Sequence, residues 1–287
     1  MQKRKMIVLA LALMWCLSAS AQQMAQQPLT FWYAYTVNAG KEDEFMNLVK
    51  TIGAPVRDKL MAEGVIQAWG IDVPLLRQPG QHTHLIWYSV ADWSGIEKVQ
   101  TAMSAKLAQM AADDAKAAEE ARKKGQKPGM TTADRTREVL DSSKTRDYVT
   151  RDLVSGEGSS MPPAGMLPWT RYAFAKVKPG KGGDFRTAWE KYNKPVLDKL
   201  VADGTILAYG FAVEEVRTEG NFTHFTWYAV KSADAFEKVR NAFAADRNRR
   251  SQEEREAIGD LFNSLTDADA SRGLVTRSTI FKVAGQK

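Results

Sequence analysis

Two short segments carry the side chains best suited to chemistry. Thr83-His84-x-x-Trp87-Tyr88-x-Val90 recurs as Thr223-His224-x-x-Trp227-Tyr228-x-Val230. Histidine titrates near neutral pH and tyrosine donates strong hydrogen bonds, so the pair suits proton transfer, ligand anchoring or contact with a haem. Along a strand alternate side chains share a face. His84 and Tyr88 thus stand with Ile86 and Val90, while Thr83, Leu85 and Trp87 stand opposite. The tryptophan set is expected beneath covering helices. That turns His84, Tyr88, His224 and Tyr228 toward the space between two facing sheets, where they become ligand-pocket candidates. Trp69 and Tyr209 join them, because each precedes a mid-strand glycine, Gly70 or Gly210, of the kind that admits a ligand or a second backbone. The competing reading is structural: His and Tyr hydrogen-bond within the sheet interface, and duplication copies structure together with sites.

Other patterns are weaker. His82 and His84 have the spacing of a metal pair, yet Phe222 replaces His82 in the second segment, so no metal is assigned. Asp58-Lys59 and Asp198-Lys199, like Glu97-Lys98 and Glu237-Lys238, read as solvated helix faces. Arg77, Arg217, Arg151 and Arg277 suit a carboxylate, with salt bridges or solvation as the simpler reading. No Gly-x-Ser-x-Gly, phosphate loop or dinucleotide-binding glycine pattern stands between a strand and a helix, and no cofactor is assigned.

The elements that must position these residues are written twice. From Val37 to Val99 and from Val177 to Val239 the chain aligns with itself without a gap, with 25 identities over 63 positions. Near the ends Thr145–Arg151 matches Ser271–Arg277 at a shorter offset, so the first copy holds about 14 extra residues before its last strand. Each copy reads as strand, helix, strand, strand, helix, strand. In the first copy these are 33–37, 41–63, 65–73, 82–90, 96–124 and 146–154, with a turn at Pro79-Gly80. Phe45, Leu48, Val49, Ile52, Val56 and Leu60 recur at helical spacing. Pro55 and Pro195 should kink or split the first helix of each copy.

This order is the split β-α-β or ferredoxin-like arrangement. Written twice in one chain, it resembles the dimeric α+β barrel superfamily, which includes antibiotic-biosynthesis-type and haem-degrading monooxygenases, stress-responsive barrel proteins and chlorite dismutase-like proteins. The resemblance implies an α+β fold of two tandem ferredoxin-like domains, 28–154 and 168–284, joined by a linker at 155–167 and packed as a pseudo-dimer within one chain.

Composition narrows the function classes. The 287 residues are 44% hydrophobic and 26% charged, as in globular proteins. Lys3, Arg4 and Lys5 precede an apolar run, and Ala19-Ser20-Ala21 offers a cleavage site, so residues 1–21 read as a signal peptide and the protein as periplasmic or secreted. The lone Cys16 falls inside that leader and follows large residues, unlike a lipidated cysteine. Without the leader the formal charge of +6 falls to about +3, far from a nucleic-acid binder, and membrane insertion is not expected. The first expectation is an exported barrel that binds a small apolar or aromatic molecule without catalysis. The alternative is a monooxygenase-like or haem-handling enzyme using the His/Tyr pairs. A third is a purely structural tandem with a packed, pocketless interface.

Overall fold

A computed structural model describes residues 27–76, 81–158, 163–218 and 222–285. The leader with Cys16, Arg77, the Pro79-Gly80 turn and part of the linker lie outside the described residues. The first half comprises β1 (Leu29–Tyr35), α1 (Glu42–Leu48), α2 (Ala54–Ala62), β2 (Ile66–Pro74), β3 (His84–Val90), α3 (Trp93–Lys123), α4 (Thr132–Val139) and β4 (Arg146–Glu157). The second comprises β5 (Trp169–Val177), α5 (Gly182–Tyr192), α6 (Lys194–Ala202), β6 (Ala208–Glu214), β7 (His224–Val230), α7 (Ala235–Asn248), α8 (Gln252–Leu265) and β8 (Thr266–Val283).

Local chemistry sets these boundaries. Proline lacks an amide donor and is tolerated only in a first helical turn. The long helix expected at 41–63 accordingly splits, with a wide π-type turn at Val49–Gly53 before α2 and Pro55 in the first turn of α2. The second half breaks at Asn193, with Pro195 likewise placed. Asp92 caps α3 by accepting from the Gly95 amide at 3.0 Å, and a reciprocal Ser251–Glu254 capping box starts α8. The short α4 matches the end of α8: Val139 accepts the Asn38 amide as Leu265 accepts that of Lys178. β4 runs three residues beyond the expected Val154, because its tail pairs with β6 as far as Glu157↔Ala208.

The eight strands close into one barrel in the order β1-β3-β2-β8-β5-β7-β6-β4. Each half supplies a four-stranded sheet, and two antiparallel seams, β2–β8 and β4–β6, join the halves. Every neighbouring pair is antiparallel. β1, β2, β5 and β6 therefore run one way, the other four run back, and the pseudo-twofold axis lies along the barrel. At one mouth β1, β2, β5 and β6 end while β3, β4, β7 and β8 begin.

Closure creates three cores. One lies between the first sheet and its helices (Phe45, Leu60, Ile86, Tyr88, Val99), and a matching one lies in the second half (Phe185, Trp189, Leu200, Phe211, Val239). The third fills the barrel, where Tyr172, Phe222 and Phe225 pack with Trp32, Phe174 and Trp227. Gly70 and Gly210 belong to this interior. A Cβ on Gly70 would stand 2.9 Å from the Trp87 ring and 2.8 Å from the Ile280 carbonyl, and one on Gly210 would collide with the Trp227 indole and Asp152. The mid-strand glycines thus accommodate tryptophans of the neighbouring strands. Gly210→Ala should destabilise the protein by about 1–3 kcal/mol through this overpacking, read as a lower urea midpoint with an unchanged m-value.

Candidate functional site

The six candidates from the sequence lie on the opposite face from the one expected. His84 packs on Phe45 with ring centroids 4.7 Å apart, and His224 stacks on Phe211 beside Phe185. Their Nδ1 atoms are hydrogen-bonded to Thr83 and Thr223 at 3.0 and 2.9 Å. Those threonines in turn accept the Val37 and Val177 amides. Burial and the nearby Arg217 hold His224 at a pKa of about 4, so it is neutral near pH 7. Tyr88 stacks on Phe31 and accepts from Gln100 of α3, while Tyr228 meets Phe236 of α7. Trp69 donates to Asp58 at 3.0 Å and Tyr209 donates to Asp198. All six sit between sheet and helices.

The physical reason is closure. When a sheet forms a barrel and is also covered by helices, both faces of each strand are buried, and relative hydrophobicity no longer tells inside from outside. The tryptophans face the interior because Gly70 and Gly210 make room for them there. The same geometry revises other readings. His82 lies at a barrel mouth while His84 lies under α1, so the sheet separates the His-x-His pair. Asp58 is more than a solvated charge: it also accepts from Lys282 of β8 at 2.7 Å, tying α2 to the opposite half. Arg151 is the salt bridge it resembled, meeting both Glu215 oxygens at 2.7 and 2.9 Å. Arg277 lies over the Trp169 ring.

A cavity of about 570 Å3 opens at the mouth where β3, β4, β7 and β8 begin. Its walls are aromatic: Trp32, Tyr148, Tyr172, Phe174, Phe222 and Phe225, with Leu85 and Leu274. Equivalent positions of the two copies face each other across it, among them Trp32 and Tyr172, Leu85 and Phe225, and Arg146 and Arg272. The pocketless tandem is thereby ruled out. Sequence reasoning placed the cavity between the sheets and missed its lining, although the alternation that exposes Leu85 and Trp87 on one face, read inward, points to it.

The polar groups around this cavity are not equivalent in the two halves. Tyr172 donates to Asp72 Oδ2 at 2.7 Å, and Ser278 donates to Oδ1 at 2.6 Å. Asp72 is fully buried, and that burial raises its pKa against the opposing effect of the two hydroxyls. Burial first, and Asp72 second, push the Tyr172 phenol well above its usual value. At the position matching Asp72 the second half has Ala212. Its own seam instead holds Asp152, which accepts from Trp227 Nε1 at 2.9 Å and is raised by burial to a pKa of about 6. Trp32 Nε1 donates to Thr150 in the cavity wall at 2.9 Å. The rim carries Lys144, Arg146, Arg272 and His82.

No protein-family model matches the chain, and no curated protein matches it. Solved structures do. A protein from Fusobacterium nucleatum subsp. nucleatum, provisionally described as a monooxygenase, superposes at TM-score 0.57 and 10% identity over 91% of this chain and 96% of its own. A Lactobacillus acidophilus protein with the same provisional description gives 0.56 at 6% identity, over 91% and 98%. An anthrone oxidase-like protein gives 0.53 at 13% identity, over 91% and 95%. The fold is the dimeric α+β barrel, fused in tandem. These likenesses each extend over 91% of this chain and select no single family.

The comparison corrects the expectation of a carrier without catalysis. The same fold occurs in proteins described as monooxygenases, so missing hydrolase or nucleotide motifs do not argue against an enzyme. The His/Tyr pairs, on which the monooxygenase-like alternative was built, lie outside the cavity. Those pairs also do not fit a haem: each imidazole is covered by phenylalanine rings and held at Nδ1 by threonine. No helix among the described residues is long and apolar enough to cross a membrane, and no cluster of three potential metal ligands occurs among them.

The raised Asp152 carboxyl makes stability depend on pH with a definite sign. Its ordinary value is 3.8 and its folded value is about 6, so between those limits the folded state alone holds the proton. The stabilisation is complete below about pH 4 and is lost as pH rises through 6. Asp152→Asn mimics the protonated acid and keeps an acceptor for Trp227. It should match the wild type near pH 4 and exceed it by on the order of 1–3 kcal/mol at pH 7.5, as measured by urea unfolding at both pH values.

Proposed function

We propose that this chain is an oxidising enzyme of the monooxygenase-like kind, acting on an aromatic small molecule held in the barrel cavity. The observation that carries the reading is the Tyr172–Asp72 pair, 2.7 Å apart, with Tyr172 in the cavity wall and Asp72 buried behind it. A phenol that already donates to a buried carboxylate is arranged for proton relay. Tyr172 Oη takes a proton from an acidified C–H or O–H of the substrate as its own proton passes to Asp72 Oδ2. Burial strengthens Asp72 as the final acceptor, and Ser278 holds the carboxylate in place. Aromatic walls supply stacking for a planar ring system and exclude water.

The reaction class that matches this machinery is oxidation of an activated ring methylene by dioxygen. Two C–H bonds break and one C=O bond forms. One oxygen atom enters the product, the other leaves as water, and no external reductant is required. The name of the anthrone oxidase-like structural neighbour makes anthrone a reasonable first probe. For location, the basic start, apolar run and small residues of 1–21 support export. N-terminal sequencing that finds a mature chain beginning near Gln22 is the test of that part.

Tyr172→Phe keeps the ring and removes the relay; Asp72→Asn removes the acceptor. General acid–base catalysis contributes about 10²–10⁴-fold, so each variant should lower oxygen uptake with anthrone at least 100-fold while retaining the wild-type far-UV circular dichroism. An unchanged rate in Tyr172→Phe, or no oxygen uptake by the wild type, would count against the assignment.

A further inference from the structure

Among the described residues, the rim of the cavity holds more positive charge than the acids around it neutralise. Arg146 and Arg272 occupy matching positions of β4 and β8 and reach the same mouth from opposite sides of the pseudo-twofold axis. Neither is ion-paired among the described residues. Arg146 donates to the Thr145 and Ser143 carbonyls at 2.8 and 3.3 Å, which bear no net charge. Arg272 lies over aromatic rings, 5.0 Å from the centroid of Phe174 and 5.8 Å from that of Phe222. By contrast, the third cation, Lys144, is engaged by Asp141 at 2.8 Å. The acids nearby are otherwise occupied or unpaired: Glu214 accepts from Thr218 at 2.6 Å, and Asp147 has its carboxyl raised by burial without an ion partner.

Between the two arginines stands His82. Its Nδ1 is buried with no hydrogen-bond partner among the described residues, and burial with both arginines lowers its pKa. The His82 residue lines the same opening as the two arginines. A planar anion fits both arginines at once, because guanidinium groups bind carboxylates through paired hydrogen bonds. The aromatic walls begin directly below.

We propose that the mouth of the barrel binds the carboxylate of an aromatic acid between Arg146 and Arg272, with the ring system lying in the cavity. This deepens the proposed function by giving the substrate class, and it rests on the cavity being the substrate site. The fused chain differs at this rim from a symmetric dimer. Phe222 stands where a second histidine would be, and Arg272 rests on that ring.

Two isosteric probes test the proposal by titration calorimetry on the full-length mature protein: naphthalene-2-carboxylate and naphthalene-2-carboxamide. The carboxylate should bind about tenfold more tightly or better, the discrimination that one charge-assisted hydrogen bond gives. Arg146→Gln and Arg272→Gln, both at exposed positions, should each weaken the carboxylate about tenfold and leave the carboxamide within about twofold. Arg277→Gln, which removes the same charge outside the cavity, should leave the preference intact. Equal binding of the two probes, or a preference that survives both rim substitutions, overturns the anion site while leaving the cavity as a binding site for aromatic compounds. Binding of neither probe at millimolar concentration overturns both.

Discussion

Closure of the barrel is the constraint on which the rest of the molecule depends. A four-stranded sheet ends in two edges of unpaired backbone groups, and here each half uses both of its edges to complete the other. The β2–β8 and β4–β6 seams satisfy those groups and define an interior that neither half possesses alone. The interior then dictates side-chain size: two glycines on β2 and β6 admit two tryptophans from β3 and β7. The aromatic-walled cavity lies at one mouth. Cross-half contacts reinforce the arrangement outside the barrel as well, through Lys282 with Asp58 and Arg151 with Glu215.

Both halves keep what the fold needs and differ where the interior is polar. The Thr-His pair that clasps the end of the first strand occurs twice with nearly the same geometry, as expected of a structural device. The buried acids do not repeat: Asp72 faces Ser278 across one seam, and Ala212 faces Asp152 across the other. One acid is served by a phenol and a hydroxyl, the other by an indole. Two carboxyls in related positions thus have unlike partners, the condition under which one can take part in proton transfer while the other stays a packing element.

Much of this architecture was legible in the sequence. The gapless repeat gives the duplication, the order of elements gives the ferredoxin-like halves, and Pro55 and Pro195 mark where the first helices break. Mid-strand Gly70 and Gly210 were recognisable as points of close approach. The site was far less legible. His84, Tyr88, His224 and Tyr228 drew attention because they recur, yet recurrence marks what both halves need to fold. Many residues around the cavity changed between copies, such as His82 and Phe222 or Tyr148 and Leu274, while Arg146 and Arg272 match. Their shared location depends on strands from opposite halves meeting at one mouth, and no local pattern carries that. The face of β3 was misjudged for the same reason, since alternation reports two faces and says nothing about which one a closed sheet turns inward.

The position of the cavity on the pseudo-twofold axis has a consequence for heredity. In a homodimer with a pocket on its axis, every codon change alters both walls together, and the pocket can only remain symmetric. Its occupant must then be symmetric too, or sit in two equivalent poses. Fusion removes that restriction, because each wall is encoded separately and a single base change reaches only one of them. The ligand gains a unique orientation, one molecule per chain, and a lineage can adjust one side of its grip while the other stays fixed.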